Sequence, residues 1–287
     1  MPKNQAITVD NRLLNLLPVH KAEEFINECE LIELKAGQVL ANAGEPMAYA
    51  YFPLFGIISW EKHIDASAFL VIAFIGCEGM LCFSFNLNID QTSCRATVQK
   101  EGLAWRISTE KLKFQLQTNA ALATILKRYS YVMLTQLIQF GVCNLFHVIE
   151  CRLAKIFLML QDRVNSSELN ITQESLAQML GVRRVGVTKA ASAMQREKII
   201  SYSRGHVSIV NSHHLQQQSC NCYQLDKAIY EKYLSAEHAQ GVEGVEGVEG
   251  DVQDVQYVAN VPNALHINLS VNKIKSVNQT NGSNESV

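Results

Sequence analysis

The sequence lacks the motifs on which most enzymes are built. It contains no HExxH zinc-hydrolase pattern, no glycine-rich phosphate loop, no GxSxG elbow and no catalytic-looking carboxylate pair, so nothing in it argues for catalysis. It also lacks a long unbroken apolar run. The most apolar stretch, residues 67–85, is interrupted by Gly76, Glu78 and Gly79 and reads as two buried strands joined by a turn, so no membrane association is expected. Residues 1–10 hold no apolar core of signal-peptide length. Eight cysteines are present, at 29, 77, 82, 94, 143, 151, 220 and 222, but their irregular spacing is not a disulfide framework. Reduced thiols, several buried as small hydrophobes, are the expectation, and cytoplasm is the expected compartment.

What is present is a chain of 287 residues, 48% hydrophobic and 18% charged, enough for two domains that each bury a core. The formal net charge of −2 is unevenly spread. Residues 150–234 carry 11 Lys and Arg against 7 Asp and Glu, a net of +4, which leaves −6 for the remainder. One segment can therefore approach an anionic polymer while the body that carries it need not.

Residues 13–29 read as short helical pieces interrupted by Pro18. From Leu31 to Ile107, short apolar runs (38–40, 49–52, 56–60, 68–75, 96–98 and 103–107) alternate with turn material, which predicts a small antiparallel barrel or jelly roll. From Asn119 the period becomes helical. Leu122, Ile125, Tyr129, Val132, Gln136 and Phe140 recur at three- and four-residue steps, a seam long enough to predict a dimerisation helix. Residues 141–147 read as a hinge, and 148–163 as a second helix with Leu153, Ile156, Phe157 and Leu160 on its apolar face. Residues 241–250 are a Val-Glu-Gly repeat and 278–287 are rich in Asn, Ser and Thr, so the tail is expected to be disordered, with a strand at 266–271 the one exception considered.

The informative segment runs from Thr172 to Arg196. Thr172 suits a helix N-cap, and Leu176, Met179 and Leu180 form the inward stripe of a short helix. Ala177 is small where a second helix would cross, and Gly181 suits a left-handed turn. A second helix begins at Arg183 or Arg184, with Val187, Ala190, Ala191 and Met194 facing in. Helix, glycine turn and helix in about 20 residues is a helix-turn-helix pattern. Arg183, Arg184, Thr188 and Lys189 project from the N-terminal half of the second helix, the part that reaches base edges in a major groove. Between Val182 and Arg204 there are six basic residues and one acidic one. Two short alternating strands flank Arg204-Gly205, a β-hairpin wing whose tip would place Arg204 on a phosphate.

On these residues the chain resembles the CRP/FNR family of bacterial transcription regulators over roughly residues 13–233. The most specific stretch is 171–204, with Leu-Ala-Gln-Met-Leu-Gly-Val (176–182) and Arg204-Gly205 in place. The resemblance implies an α+β chain in four parts. These are an N-terminal antiparallel β jelly-roll barrel related to cyclic-nucleotide-binding domains (1–118), a dimerisation helix and hinge (119–147), a C-terminal winged helix-turn-helix (148–235) and a low-complexity tail (236–287). It implies a homodimer on a near-palindromic duplex, with half-sites about 34 Å apart, and it makes Arg184, Thr188 and Lys189 the base readers. Thr172, Arg183 and Arg204 complete the expected DNA contacts. RNA polymerase is a further candidate partner.

The sequence departs from the family in three places. Val185 stands where a glutamate often sits in the motif, so known target sequences do not transfer. The Gly-Glu step and Arg-Ser/Thr pair of cyclic-nucleotide-binding relatives read here as Gly76-Cys77-Glu78 and Cys94-Arg95, so cAMP or cGMP is not expected. Only Cys29 precedes residue 77, so the N-terminal iron–sulfur ligand set of other relatives cannot be built the same way. His63 or His147 could serve a haem, although a lone histidine is more often ordinary. His213-His214 and Cys220-Asn221-Cys222 lie close in sequence, but their spacing fits no common zinc motif; helix-end packing is the expectation and no metal site is assigned. The effector is left unidentified. The competing reading is a barrel-domain signalling protein whose winged helix makes protein contacts.

Overall fold

The computed structural model describes residues 11–64 and 69–235. The Val-Glu-Gly repeat, the Asn-rich stretch and the considered strand at 266–271 lie outside the described residues, as do residues 1–10. The N-terminal part is an antiparallel sheet of β1 (Glu30–Leu34), β2 (Val39–Ala41), β3 (Tyr49–His63), β4 (Phe69–Ile75) and β5 (Arg95–Ser108), preceded by α1 (Val19–Asn27). The strand order is β1-β5-β3-β4, with β2 also on β5. β3 and β5 pair from Tyr49↔Ser108 to Glu61↔Arg95. The sequence pattern predicts two strands in each, with breaks at residues 53–55 of β3 and at the Glu101-Gly102 turn of β5. The structure instead carries each through as one bent strand, with register shifts between Pro53 and Ile58 that absorb the missing N–H of Pro53.

The stretch after β4 also differs from expectation. Residues 83–87 form a 3-10 turn and only Leu81 bridges to Tyr51, so the second strand expected there does not form. Residues 109–118 form α2, capped by the Ser108 side chain, which accepts from the Lys111 N–H.

The long helix, α3 (Ala120–Phe146), runs unbroken through Gly141, and the chain turns only at His147 and Val148. Leu122, Ile125, Leu126, Tyr129, Val132 and Met133 on its inner side join Phe25, Phe52, Ile58, Ile75, Leu81 and Ile107 in one core. This corrects the expected dimer seam: Leu122, Ile125, Tyr129 and Val132 are fully used by the chain's own sheet. Gln136 reaches the carbonyl of Asp226 and Phe140 is half-buried. The helix also carries exposed apolar residues on its opposite side, Tyr131, Leu134, Ile138 and Leu145, so periodicity alone does not single out one face.

The C-terminal part comprises α4 (Ile149–Val164), β6 (Glu168–Asn170), α5 (Gln173–Leu180), α6 (Arg184–Arg196), β7 (Ile200–Ser203), β8 (His206–Ile209), α7 (Ser212–Gln218) and α8 (Cys222–Tyr233). Its core contains the apolar faces of α4, α5 and α6 together with Ile57, Val71 and Phe74 of the sheet. The two parts therefore share a buried apolar boundary. Polar contacts reinforce it: Arg163 on α4 pairs with Glu78 at 2.9 Å and donates to the Phe74 carbonyl, and the Tyr230 hydroxyl donates to the Glu78 carbonyl. Arg152 and Lys155, read as lying off the apolar face of their helix, are buried: Arg152 donates to Asn144 of α3, and Lys155 pairs with Asp226 of α8 at 2.6 Å.

Candidate nucleic-acid interface

Local chemistry sets the helix-turn-helix. The Thr172 hydroxyl accepts from the Ser175 N–H at 3.1 Å, starting α5. At the other end Gly181 takes φ +62°, its N–H bonding the Gln178 carbonyl while the Val182 N–H bonds that of Ala177. This is a Schellman stop, and a side chain at 181 would meet both the left-handed backbone penalty and Leu70 at 2.9 Å. The carbonyl of Leu180 receives the guanidinium of Arg152, which fixes the turn to α4. Val187, Ala190, Ala191 and Met194 face inward on α6, opposite buried Leu176, Ala177, Met179 and Leu180 on α5.

That packing leaves one face of α6 in solvent. Arg183, Arg184, Thr188 and Lys189 lie along it, with Arg196 and Lys198 beyond them. By contrast, Arg152, Lys155 and Arg163, which contributed to the basic balance of this region, are occupied inside the molecule. The useful positive charge is therefore concentrated on α6 and the wing. The wing turn itself has φ +48° at Arg204 and +83° at Gly205, the geometry of a two-residue primed hairpin turn. It is tied to the start of α5 by the Ile171 N–H donating to the Gly205 carbonyl at 2.7 Å and by the Tyr202 hydroxyl donating to the Ile171 carbonyl at 2.8 Å.

Thr172, Gln173, Arg184, Tyr202, Arg204 and Gly205 consequently line one concavity. The structure thus brings together three of the sequence-predicted residues, Thr172, Arg184 and Arg204, while Arg183, Thr188 and Lys189 continue along the open face. Burial raises the Tyr202 hydroxyl pKa and the Arg184 cation opposes that shift. The sequence reading missed Gln173, whose side-chain oxygen accepts from the Thr188 hydroxyl at 2.7 Å and orients it. Its signal was its place directly after the cap, facing the second helix. The first turn of α6 has no side-chain cap, so its N–H groups add partial positive charge beside Arg184.

Residues 151–218 match the Crp-like helix-turn-helix domain. The chain carries that domain on a CRP/FNR fold. Among solved structures it is similar to a CRP/FNR-family transcriptional regulator from Eubacterium rectale, at 19% identity and TM-score 0.58, covering 72% of this chain and 96% of that one. It is also similar to a CRP-family transcriptional regulator from Thermus thermophilus, at 12% identity and TM-score 0.56, covering 66% and 96%. A third likeness is to the c-di-GMP-responsive global regulator of Xanthomonas campestris, at 17% identity and TM-score 0.53, covering 67% and 99%. At these identities the likeness is one of fold. No curated protein matches the chain in sequence.

Two further features of this CRP/FNR fold bear on function. Glu78 holds Arg163, which commits its carboxylate to the boundary between the two parts. Within the sheet, buried Glu61 accepts from Ser59 at 2.5 Å and from Thr97 at 3.1 Å, with His63 at 3.3 Å and Gln99 at 3.2 Å. Among the described residues no helix is long and apolar enough to cross a membrane.

Proposed function

We propose that this protein is a sequence-specific, homodimeric transcription regulator that binds duplex DNA through α6 and the wing. The observation that carries this reading is the solvent-facing row Arg183, Arg184, Thr188 and Lys189, held on a helix whose other side is locked into the core. Arg184 is the principal base reader, since a guanidinium can bond two acceptors of a guanine in the major groove. Thr188 and Lys189 read or steady neighbouring bases, and Thr172, Arg183 and Arg204 bind phosphates. The protein is a binding protein rather than an enzyme, works in the cytoplasm, and has RNA polymerase as a further partner at its promoters.

The dimer forms along the outer face of α3. Tyr131, Ile138 and Leu145 recur at seven-residue steps and are 50%, 62% and 80% exposed, with Leu134 at 55% between the first two. Gly141 falls at the heptad step after Leu134, where its open surroundings let two helices approach.

The N-terminal sheet domain gates binding in response to an effector other than a cyclic nucleotide. The wing turn and the start of α5 face Ala36, Gln99, Lys100 and Glu101 of the sheet domain across one cleft. A ligand that favours separation of these walls would free the wing for DNA, provided it binds the separated state more tightly. Selection of bound duplexes from a random pool, with binding measured as a function of salt, tests the reading. A sequence preference and a steep salt dependence are expected; indifference to duplex DNA in dilute buffer would refute it.

A further inference from the structure

At the end of α3 the fold assembles four metal-ligating side chains that are far apart in the chain. Cys143 lies in the last turn of α3, and His147, four residues on, is the residue that caps the helix C-terminus. Cys220 and Cys222 flank the start of α8. The Cys143 and Cys220 sulfurs are 3.5 Å apart, and the Cys222 sulfur is 3.4 Å from Nδ1 of His147. All four ligand atoms lie within 4.8 Å of one another, and the three thiols are buried.

We propose that Cys143, His147, Cys220 and Cys222 form a mononuclear tetrahedral site for a thiophilic divalent cation of the zinc class.

The spacing supports a single ion. With metal–sulfur bonds of about 2.3 Å and metal–nitrogen bonds of about 2.0–2.1 Å, a tetrahedron has sulfur–sulfur edges of about 3.8 Å and sulfur–nitrogen edges of about 3.6 Å. The Cys143–Cys220 and Cys222–His147 separations differ from those edges by only a few tenths of an ångström, and every other pair lies within 4.8 Å. A polynuclear iron–sulfur cluster, with each ligand on its own iron, would hold them farther apart, and a disulfide would bring one sulfur pair to about 2.05 Å. All three cysteines are free thiols in the structure.

The surroundings also suit the ion. Three thiolates and a neutral imidazole around a dication leave one negative charge. Arg152 acts electrostatically on Cys143 and Cys220, and Lys155 on Cys143 and Cys222. With Asp226 already paired to Lys155, Arg152 remains to balance the complex. Gln139 donates to the Cys222 sulfur at 2.9 Å, an outer contact of the kind that orients a ligand. The sequence reading paired Cys220 and Cys222 with neighbouring His213 and His214. The structure replaces those histidines with Cys143 and His147, which is why no zinc spacing was visible.

The full chain, purified with a phosphine reductant, stripped by a chelator and titrated with Co2+, provides the test. One Co2+ per chain with the visible bands of tetrahedral cobalt and thiolate-to-cobalt charge transfer is expected, and stoichiometric Zn2+ should displace it. Cys143→Ser and Cys222→Ser should each abolish those bands, whereas Cys77→Ser should leave them unchanged. Gln139→Leu should weaken affinity about 10- to 100-fold. A readout that needs no variant is Zn2+ protection from alkylation mapped by mass spectrometry, confined to Cys143, Cys220 and Cys222. An octahedral cobalt spectrum, unchanged binding by the serine variants, or unprotected thiols in saturating Zn2+ would each overturn the proposal.

Discussion

Arg184 has a double position: on the solvent side of α6, and in the same concavity as Thr172 and Arg204. Those placements predict different losses. Arg184→Ala should relax base preference at one position of the half-site and cost about 1–3 kcal/mol of discrimination, measured by competition between cognate and singly substituted duplexes. Arg204→Ala should weaken binding to all sequences alike and flatten the salt dependence by about one counterion. An equal loss of discrimination in both variants would contradict the division of labour. The residues of this surface were legible in the sequence because capping, turn and period are local signals, all within residues 171–210. The Gln173–Thr188 bond was not, because it depends on how two helices cross.

The helix α3 shows what periodicity can and cannot say at the scale of an element. Its existence and start were legible; its end was not, since the helix runs through the expected hinge to Phe146, and neither was its orientation, since both faces are apolar and only the three-dimensional position of the sheet selects between them. The two faces now predict separate phenotypes. Leu122→Ala empties a fully buried site and should cost about 2–5 kcal/mol of stability while leaving the oligomeric state unchanged. Leu134→Glu combined with Ile138→Glu should leave helix content intact and yield monomers in light scattering. A dimer that survives the double glutamate would exclude the outer face as the seam. The bent strands were likewise half legible: Pro53 ended a strand in the pattern, whereas the structure bulges around it.

Across the described residues, 11–64 and 69–235, the sheet and winged parts are less independent than the sequence suggests. The winged part was expected beyond a hinge at 141–147. Instead α3 is continuous to Phe146, and Ile57, Val71 and Phe74 of the sheet share a core with α4 and α5. Such contacts join residues remote in sequence, as do the thiols of Cys143 and Cys220, which are 77 positions apart; no local pattern encodes them. Glu78→Ala would leave the Arg163 guanidinium, only 10% exposed, without its carboxylate. A loss of about 3–5 kcal/mol is expected, seen as faster amide exchange across β4 and α4. Unchanged exchange in both elements would mean the apolar boundary alone holds the parts together.

The outward ridge of α3 has a consequence for dosage. If two copies must meet there before either can grip a palindrome, then at concentrations well below the dimer dissociation constant the population of active complexes grows with the square of chain abundance. A modest rise in synthesis would then produce a disproportionate rise in promoter occupancy, giving the cell a threshold that requires no small molecule.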